Sequence, residues 1–312
     1  MATKYDLQRL VGDYYSSYDF KLLREETQAQ YKYLLGVVLN TEVEGTPLCH
    51  YDPDNLPTRI AKQSYDLWCD KGISMANHLL SAARIAFNYG LRMEHCLTNP
   101  FANVRKRTTD RRKVVWGRGD VQRLLEAAYS DFSTRNVGLI AHMAYEWCQR
   151  LGDMRLLTWD AINFDAQTVY IKQSKRKAEV HLPIEDDLFD MLKQQEQDFG
   201  FQQYVAPMPT PYAGEFIPYS IYKLPLYARK LMDDVGLPKE LRLSDLRRTG
   251  TTEMVEAGVG MAQIMSVTGH ANPSSVKPYL KNTLESANNA LTARQMHGKS
   301  IASAAKKEDI HD

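Results

Sequence analysis

Three side chains at set distances within Ser244–Tyr279 could do chemistry together. Arg247 stands in a Leu-Arg-Arg-Thr helix start, His270 ends a Thr-Gly-His step, and Tyr279 follows nine residues later behind Pro278. A guanidinium neutralises non-bridging phosphate oxygens in a bidentate grip. A phenolic oxygen can form a covalent intermediate. Arg, His and Tyr in this order therefore suit the binding of a phosphodiester and its attack by a phenol. A second guanidinium must come from elsewhere, and Arg150, in QRLGDMRLLTWDAI, is the candidate.

The elements that position these groups fall in two parts. A chain of 312 residues predicts two domains, each long enough to bury a core. Up to about residue 104 the chain reads as all helix: Leu22 to Leu39 (Leu23, Tyr31, Leu34, Leu35 and Val38 at helical spacing), Leu56 to Cys69, and Ser74 to Leu91 with Ser74 as N-cap. Tyr31, Tyr65, Trp68, Phe87 and Tyr89 are expected in this core rather than stacked on bases. Asn99-Pro100 stops the last helix. From Gly119 a second domain begins, with a helix capped by Asp120, and another from Ser133 or Thr134 to Arg150. Three short strands follow at Ala161–Phe164, Thr168–Gln173 and Glu179–Leu182, rich in β-formers. Helices over Glu185–Gln197, Tyr219–Val235 (kinked by Pro225) and Ser244–Ala257 complete it. The fold class is mainly α with a small β-sheet, and the last residues, 298–312, form a polar tail.

Between the two parts, residues 101–120 carry seven Lys or Arg against two Asp. With a formal net charge of only +1, a nucleic-acid surface has to be local. Residues 105–118 read as a linker in which Arg105, Lys106, Arg107, Arg111, Arg112 and Lys113 cross a DNA backbone, each displacing a counterion; a solvated interdomain linker is the plain alternative. A hydrophobic content of 44% and a charged content of 25% are those of an ordinary soluble protein. No run is apolar enough to span a membrane, and MATKYDLQRL is no signal peptide. Cys49, Cys69, Cys96 and Cys148 are scattered, which predicts buried thiols in a cytoplasmic protein; Cys49-His50 has no second pair to complete a zinc site.

Taken together, the second part resembles the catalytic domain of the tyrosine recombinases, the phage-integrase family. Arg150, Asp153, Leu157 and Trp159 match the spacing of R-x-x-E-x-x-x-L-x-W, with Asp for Glu. VYIKQSKRKAEVHLPI resembles the strand–Lys–strand element and puts the lysine at Lys175, with Lys172 and Lys177 as its rivals. Ser244-Asp245-Leu246-Arg247-Arg248-Thr249 stands for H-x-L-R-H-T, and Thr268-Gly269-His270 for Leu-Gly-His. NHLLSAARIAFNYGLRMEHCLTNPF is similar to the end of the family's helical core-binding domain. The resemblance covers about residues 20–295 and leaves no length ahead of it for an arm-binding domain.

The resemblance implies a site-specific DNA recombinase with a core-binding domain (1–104), the basic linker, and a catalytic domain (119–297). Tyr279 would attack the scissile phosphate, leaving a 3′-phosphotyrosyl bond and a 5′-hydroxyl. Arg150 and Arg247 would bind the non-bridging oxygens, Lys175 would protonate the leaving oxygen, His270 would donate to the phosphate, and Asp153 would orient the guanidiniums. Ser244 replaces the usual His and can at most hydrogen-bond. Neither metal, ATP nor another cofactor is implied. The implied partners are double-stranded recombination sites, three further copies of the chain around a Holliday junction, a neighbour that receives a helix at about 284–297, and a DNA-bending or directionality factor. The setting would be a bacterial cytoplasm, with a phage, prophage or other mobile element as source. Two alternatives stay open: a monomeric type IB topoisomerase-like strand transferase, and a DNA-binding relative that has lost catalysis. Arg155 and Arg248 are read as phosphate-facing or exposed rather than catalytic, and His142 and His181 as structural.

Overall fold

The computed structural model describes residues 5–110, 112–175, 177–279, 287–288, 290–292 and 294–298. By contacts the chain divides into two units, Met1–Arg112 and Lys113–Asp312.

The first unit contains α1 (Leu7–Ser16), α2 (Tyr18–Lys21), α3 (Glu25–Leu39), a two-stranded hairpin β1 (Glu42–Val43) and β2 (Thr46–Pro47), α4 (Thr58–Asp70) and α5 (Ile73–Arg92). Asp6 caps α1 by accepting from the Arg9 amide at 2.9 Å. The hairpin corrects the all-helical reading. Glu44 and Gly45 both take positive φ (53° and 76°), a turn that lets two antiparallel strands meet. Ser74 is not a cap, because α5 already begins at Ile73 after Gly72. Tyr65, Trp68, Phe87 and Tyr89 are buried and Tyr31 packs against them. These rings stabilise a core and are not offered to bases.

The chain after α5 is tied back to this unit. Arg84 donates to the carbonyls of Phe101, Ala102 and Val104. The Arg107 amide donates to the Tyr65 hydroxyl at 2.6 Å, and Asn77 donates to the Arg107 carbonyl at 2.9 Å. Lys106 donates to the Ser81 hydroxyl, and Arg107 pairs with Asp66 at 2.9 Å. Arg105 and Lys113 are exposed, Arg112 is half-buried, and Arg111 lies outside the described residues.

The second unit runs α6 (Arg118–Tyr129), α7 (Phe132–Glu146), α8 (Leu151–Met154), β3 (Ile162–Asn163), β4 (Thr168–Lys172), β5 (Glu179–Pro183), α9 (Asp186–Phe199), α10 (Lys223–Asp234), α11 (Leu246–Glu256) and α12 (Met261–Thr268). The strands pair antiparallel in the order β3-β4-β5, with Val169 opposite both Ile162 and Leu182, and Ile171 opposite Val180. These five residues are buried, whereas Tyr170, Lys172, Glu179 and His181 face outward. That is the period-2 alternation of a sheet with one face on a core.

Several expected boundaries move. Asp120 lies in the first turn of α6 rather than at its cap, and α7 is capped by Asp131, which accepts from the Ser133 amide at 2.7 Å. Pro225 also falls in a first turn, that of α10, where its missing N–H costs nothing, so it makes no kink. Leu243–Asp245 is a 3₁₀ turn ahead of α11. Before α6, the Trp116 amide donates to Thr249 Oγ1 and its indole to the Arg242 carbonyl, both at 3.0 Å. This pins the entry of the unit to the start of α11. No described helix is long and apolar enough to cross a membrane.

Candidate active site

Five element ends and turns deliver the site. Helix α7 stops at Glu146 instead of running to Arg150, because Cys148 takes φ 51°. The backbone then extends, turns Gln149 inward and leaves Arg150 at the N-cap position of α8. Arg247 comes from the first turn of α11. Helix α12 ends on Gly269 in the left-handed region (φ 67°, ψ 30°), and His270 follows. Gln173 ends the β4 side of the hairpin. Tyr279 closes a short 3₁₀ turn, Lys277–Tyr279, whose backbone is held by Val276.

The two arginines meet on a frame of neutral acceptors. Arg150 Nη1 donates to Gln173 Oε1 at 2.7 Å. Arg247 Nη2 donates to the Thr268 carbonyl at 2.8 Å, and its Nη1 lies 3.4 Å from Gln149 Oε1. Burial, and next the charge of Arg150, push the Arg247 guanidinium down to about 10, so it is still protonated at neutral pH. Two guanidiniums held on one neutral frame could together seat an anion.

His270 is oriented through Thr268. The Thr268 hydroxyl donates to the Ile264 carbonyl at 2.7 Å, so it has only lone pairs to offer His270 Nδ1, also at 2.7 Å. Nδ1 therefore carries a proton, and Nε2 points to Arg247 Nη2 at 3.3 Å. A neutral ring accepts there, and a protonated ring can donate to a bound oxyanion. The Tyr279 ring lies 6.4 Å from the His270 ring, centroid to centroid, with Arg248 5.2 Å above its face.

The other sequence-named residues divide. Asp153 is buried, but its firm bond is to the hairpin: Oδ1 accepts from the Ser174 amide at 3.0 Å, while Oδ2 is 3.8 Å from Arg150. Lys175 is exposed at the hairpin, next to Ser174. Its rival Lys172 pairs with Glu179 at 3.4 Å. Ser244 is exposed, and among the described residues no hydrogen bond joins it to Arg150, Arg247, His270 or Tyr279. Arg155 donates to the Tyr219 carbonyl at 2.8 Å. His142 is buried against Tyr129, Nδ1 to hydroxyl 2.9 Å. All four cysteines are buried thiols, and no group of three His, Cys, Asp or Glu among the described residues could hold a metal.

Residues 118–285, more than half of the chain, match the family model described as "Phage integrase family". The chain belongs to the phage integrase family. Its fold is also that of solved integrases. A lambda integrase fragment crystallised as a dimer on a COC′ core site superposes with a TM-score of 0.70 at 18% identity, covering 87% of this chain and 97% of that one. A lambda integrase tetramer on a Holliday junction gives 0.72 at 17%, covering 90% and 79%. The Tn1549 transposon integrase with transposon right end DNA gives 0.73 at 14%, covering 93% and 100%. No curated protein matches the chain. The integrase fold thus extends over both units, while the family model covers the part that bears the arginines, His270 and Tyr279.

Two members of the site carry no signal in the sequence, Gln149 and Gln173, and nothing in the Thr-Gly-His step announces what the Thr268 hydroxyl and carbonyl hold. Each adjoins or lies near a residue of interest, but an uncharged amide or hydroxyl matches no catalytic pattern by itself. Only the folded structure shows where their hydrogen bonds go.

Proposed function

We propose that this chain is a site-specific tyrosine recombinase that cleaves and rejoins DNA through a 3′-phosphotyrosyl intermediate. One observation carries the proposal: Arg150 and Arg247 converge, with His270 between Arg247 and the Tyr279 ring. A phosphodiester seated on the two guanidiniums is held by both non-bridging oxygens. As Tyr279 attacks phosphorus, the charge growing on those oxygens meets donors already in place. The Tyr279–phosphorus bond forms as the bond to the 5′-oxygen breaks; the phenol gives up its proton to water, and Lys175 supplies the proton the leaving oxygen needs. The phosphotyrosyl ester conserves the energy of the phosphodiester, so religation by a 5′-hydroxyl requires no ATP, and the arginines take the part a metal would otherwise play.

The lambda relative seen as a tetramer on a Holliday junction supports the same assembly for this chain: four copies exchanging strands two at a time. In this reading residues up to 104 form the core-binding domain, and Arg105, Lys106, Arg107, Arg111, Arg112 and Lys113 follow the DNA backbone. The helix at 284–297 that would dock on a neighbour, and the tail 298–312, lie largely outside the described residues. Of them 287–288, 290–292 and 294–298 are helical and exposed. The cell compartment proposed is the bacterial cytoplasm, with a mobile element as source.

Incubation with a nicked suicide substrate tests the chemistry. Wild-type chain accumulates a covalent protein–DNA adduct on a denaturing gel, and Tyr279→Phe binds the same DNA without forming it. An adduct on the phenylalanine variant would sink the assignment. Exchange between two sites, as opposed to relaxation of a single duplex, separates a recombinase from a topoisomerase-like enzyme.

A further inference from the structure

The buried amides of Gln149 and Gln173 are fully committed in one direction. Gln173 Nε2 donates to Gln149 Oε1 at 2.7 Å and to the Thr268 carbonyl at 2.8 Å, which leaves Oε1 to Arg150. Gln149 Nε2 donates to the carbonyls of Trp147 and Val267, both at 2.8 Å, which leaves its Oε1 to Gln173 and Arg247. Each NH₂ is fixed by two carbonyl acceptors, so neither amide can flip without facing oxygen to oxygen. Both side chains have essentially no exposure. Their acceptor ends are the two points at which Arg150 and Arg247 are joined.

We infer that Gln149 and Gln173 form a positioning relay that sets the spacing of the Arg150 and Arg247 guanidiniums for the scissile phosphate. This deepens the strand-transfer proposal and rests on it. A carboxylate at either position would hold its arginine more strongly, but it would cancel the charge the phosphate needs. A neutral amide fixes the guanidinium and leaves its charge available. The relay also reaches the hairpin. The Gln173 backbone N–H donates to the Ala178 carbonyl at 2.8 Å, and its backbone carbonyl accepts from the Lys177 N–H at 3.0 Å, so the same residue anchors the strand that leads to Lys175.

The test uses the full chain, with single-turnover cleavage of a nicked duplex that carries either an ordinary scissile phosphodiester or a methylphosphonate. The methylphosphonate replaces one non-bridging oxygen with a methyl group, so it is neutral and offers the arginines a single non-bridging oxygen. Gln173→Met keeps the length of the side chain and removes its hydrogen bonds. We expect DNA binding without cleavage to be unchanged and cleavage of the phosphodiester to fall about 10²-fold, the cost of misplacing a reacting group by an ångström. On the methylphosphonate most of that deficit should vanish. Gln149→Met breaks the relay from its other end and covers the case in which Gln173→Met fails to fold. Because both act through one unit, the double variant should lose no more than the worse single one. Cleavage by both variants at the wild-type rate would overturn the relay, as would an equal deficit on both substrates, the mark of a merely structural role. Failure of the unsubstituted chain to form any adduct would instead overturn the strand-transfer reading and the relay's role with it.

Discussion

Gly269→Ala perturbs the site through the backbone, and its cost can be worked from two terms. Gly269 holds φ 67° as the C-cap of α12, a region where a Cβ costs about 1–2 kcal/mol. That Cβ would also sit 2.5 Å from Gln173 Nε2 and 2.9 Å from its Cδ. Gln173 cannot swing aside cheaply, since its amide holds Gln149, the Thr268 carbonyl and Arg150. Losing two neutral bonds costs about 1 kcal/mol each, and the charged one somewhat more. The sum is about 5 kcal/mol, which for a unit of this size lowers the melting temperature by roughly 10–20 °C. Gly258→Ala isolates the first term. It has φ 77° with nothing within 4 Å of the added carbon, so only the strain of about 1–2 kcal/mol applies, roughly 2–8 °C. Thermal denaturation of the wild type and the two variants by circular dichroism compares them directly. Equal melting temperatures for Gly269→Ala and Gly258→Ala would refute the close approach to Gln173 as an energetic fact.

Three further outcomes are expected. Ser244→Ala should keep most single-turnover cleavage while Arg247→Ala abolishes it, because Ser244 is exposed without a bond to the site, whereas Arg247 holds the charge; equal loss in both would reveal an essential serine. Replacing Arg105, Lys106 and Arg107 with Ala should weaken binding to all DNA sequences alike and flatten its salt dependence by roughly one unit of slope for each phosphate no longer neutralised; affinity reduced only at the specific site would make them base readers. Burial holds His142 at about 4, below its ordinary 6.5, so its contribution to stability is full above pH 6.5 and is lost as the pH falls toward 4. That loss is about 3 kcal/mol at most, offset in part by Glu146, whose carboxyl burial pushes up. Urea midpoints at pH 7 and 4.5 should therefore converge in His142→Gln, and an unchanged gap would exclude His142 as its source.

The sequence was most legible where a residue type is rare for a reason. Arg150, Arg247, His270 and Tyr279 stand at family spacings, and the structure brings Arg150, Arg247 and His270 together with the Tyr279 ring. The strands were legible because Val169, Ile171 and Val180 alternate with polar residues on a half-buried sheet. Helix ends were less so, since several depend on a single backbone angle. Nothing in the type of Cys148 announces the positive φ that keeps α7 from reaching Arg150 and aims Gln149 and Arg150 into the site. Pro225 looked like a kink because periodicity does not reveal that α10 begins only at Lys223. The family resemblance gives Asp153 to the guanidiniums, and its Oδ2 does lie 3.8 Å from Arg150, but its hydrogen bond is to the Ser174 amide. That partner lies twenty-one residues away and is set by the sheet.

The choice of neutral partners explains how the proposed site can bind tightly to charge that does not yet exist. A guanidinium paired with a carboxylate is stable alone and gains little when a phosphate displaces the partner. Here the carboxylate beside the pair, Asp153, spends one oxygen on the hairpin and keeps the other 3.8 Å from Arg150. Arg247 has an amide, a carbonyl and an imidazole nitrogen. Two cations thus face one another with much of their repulsion uncompensated, which, added to burial, pulls Arg247 down toward about 10. Folding of the surrounding helices supports that cost in advance. In the proposed reaction a phosphodiester would relieve part of it and the extra charge of the pentavalent state would relieve more, so the arginines would favour the transition state over the ground state.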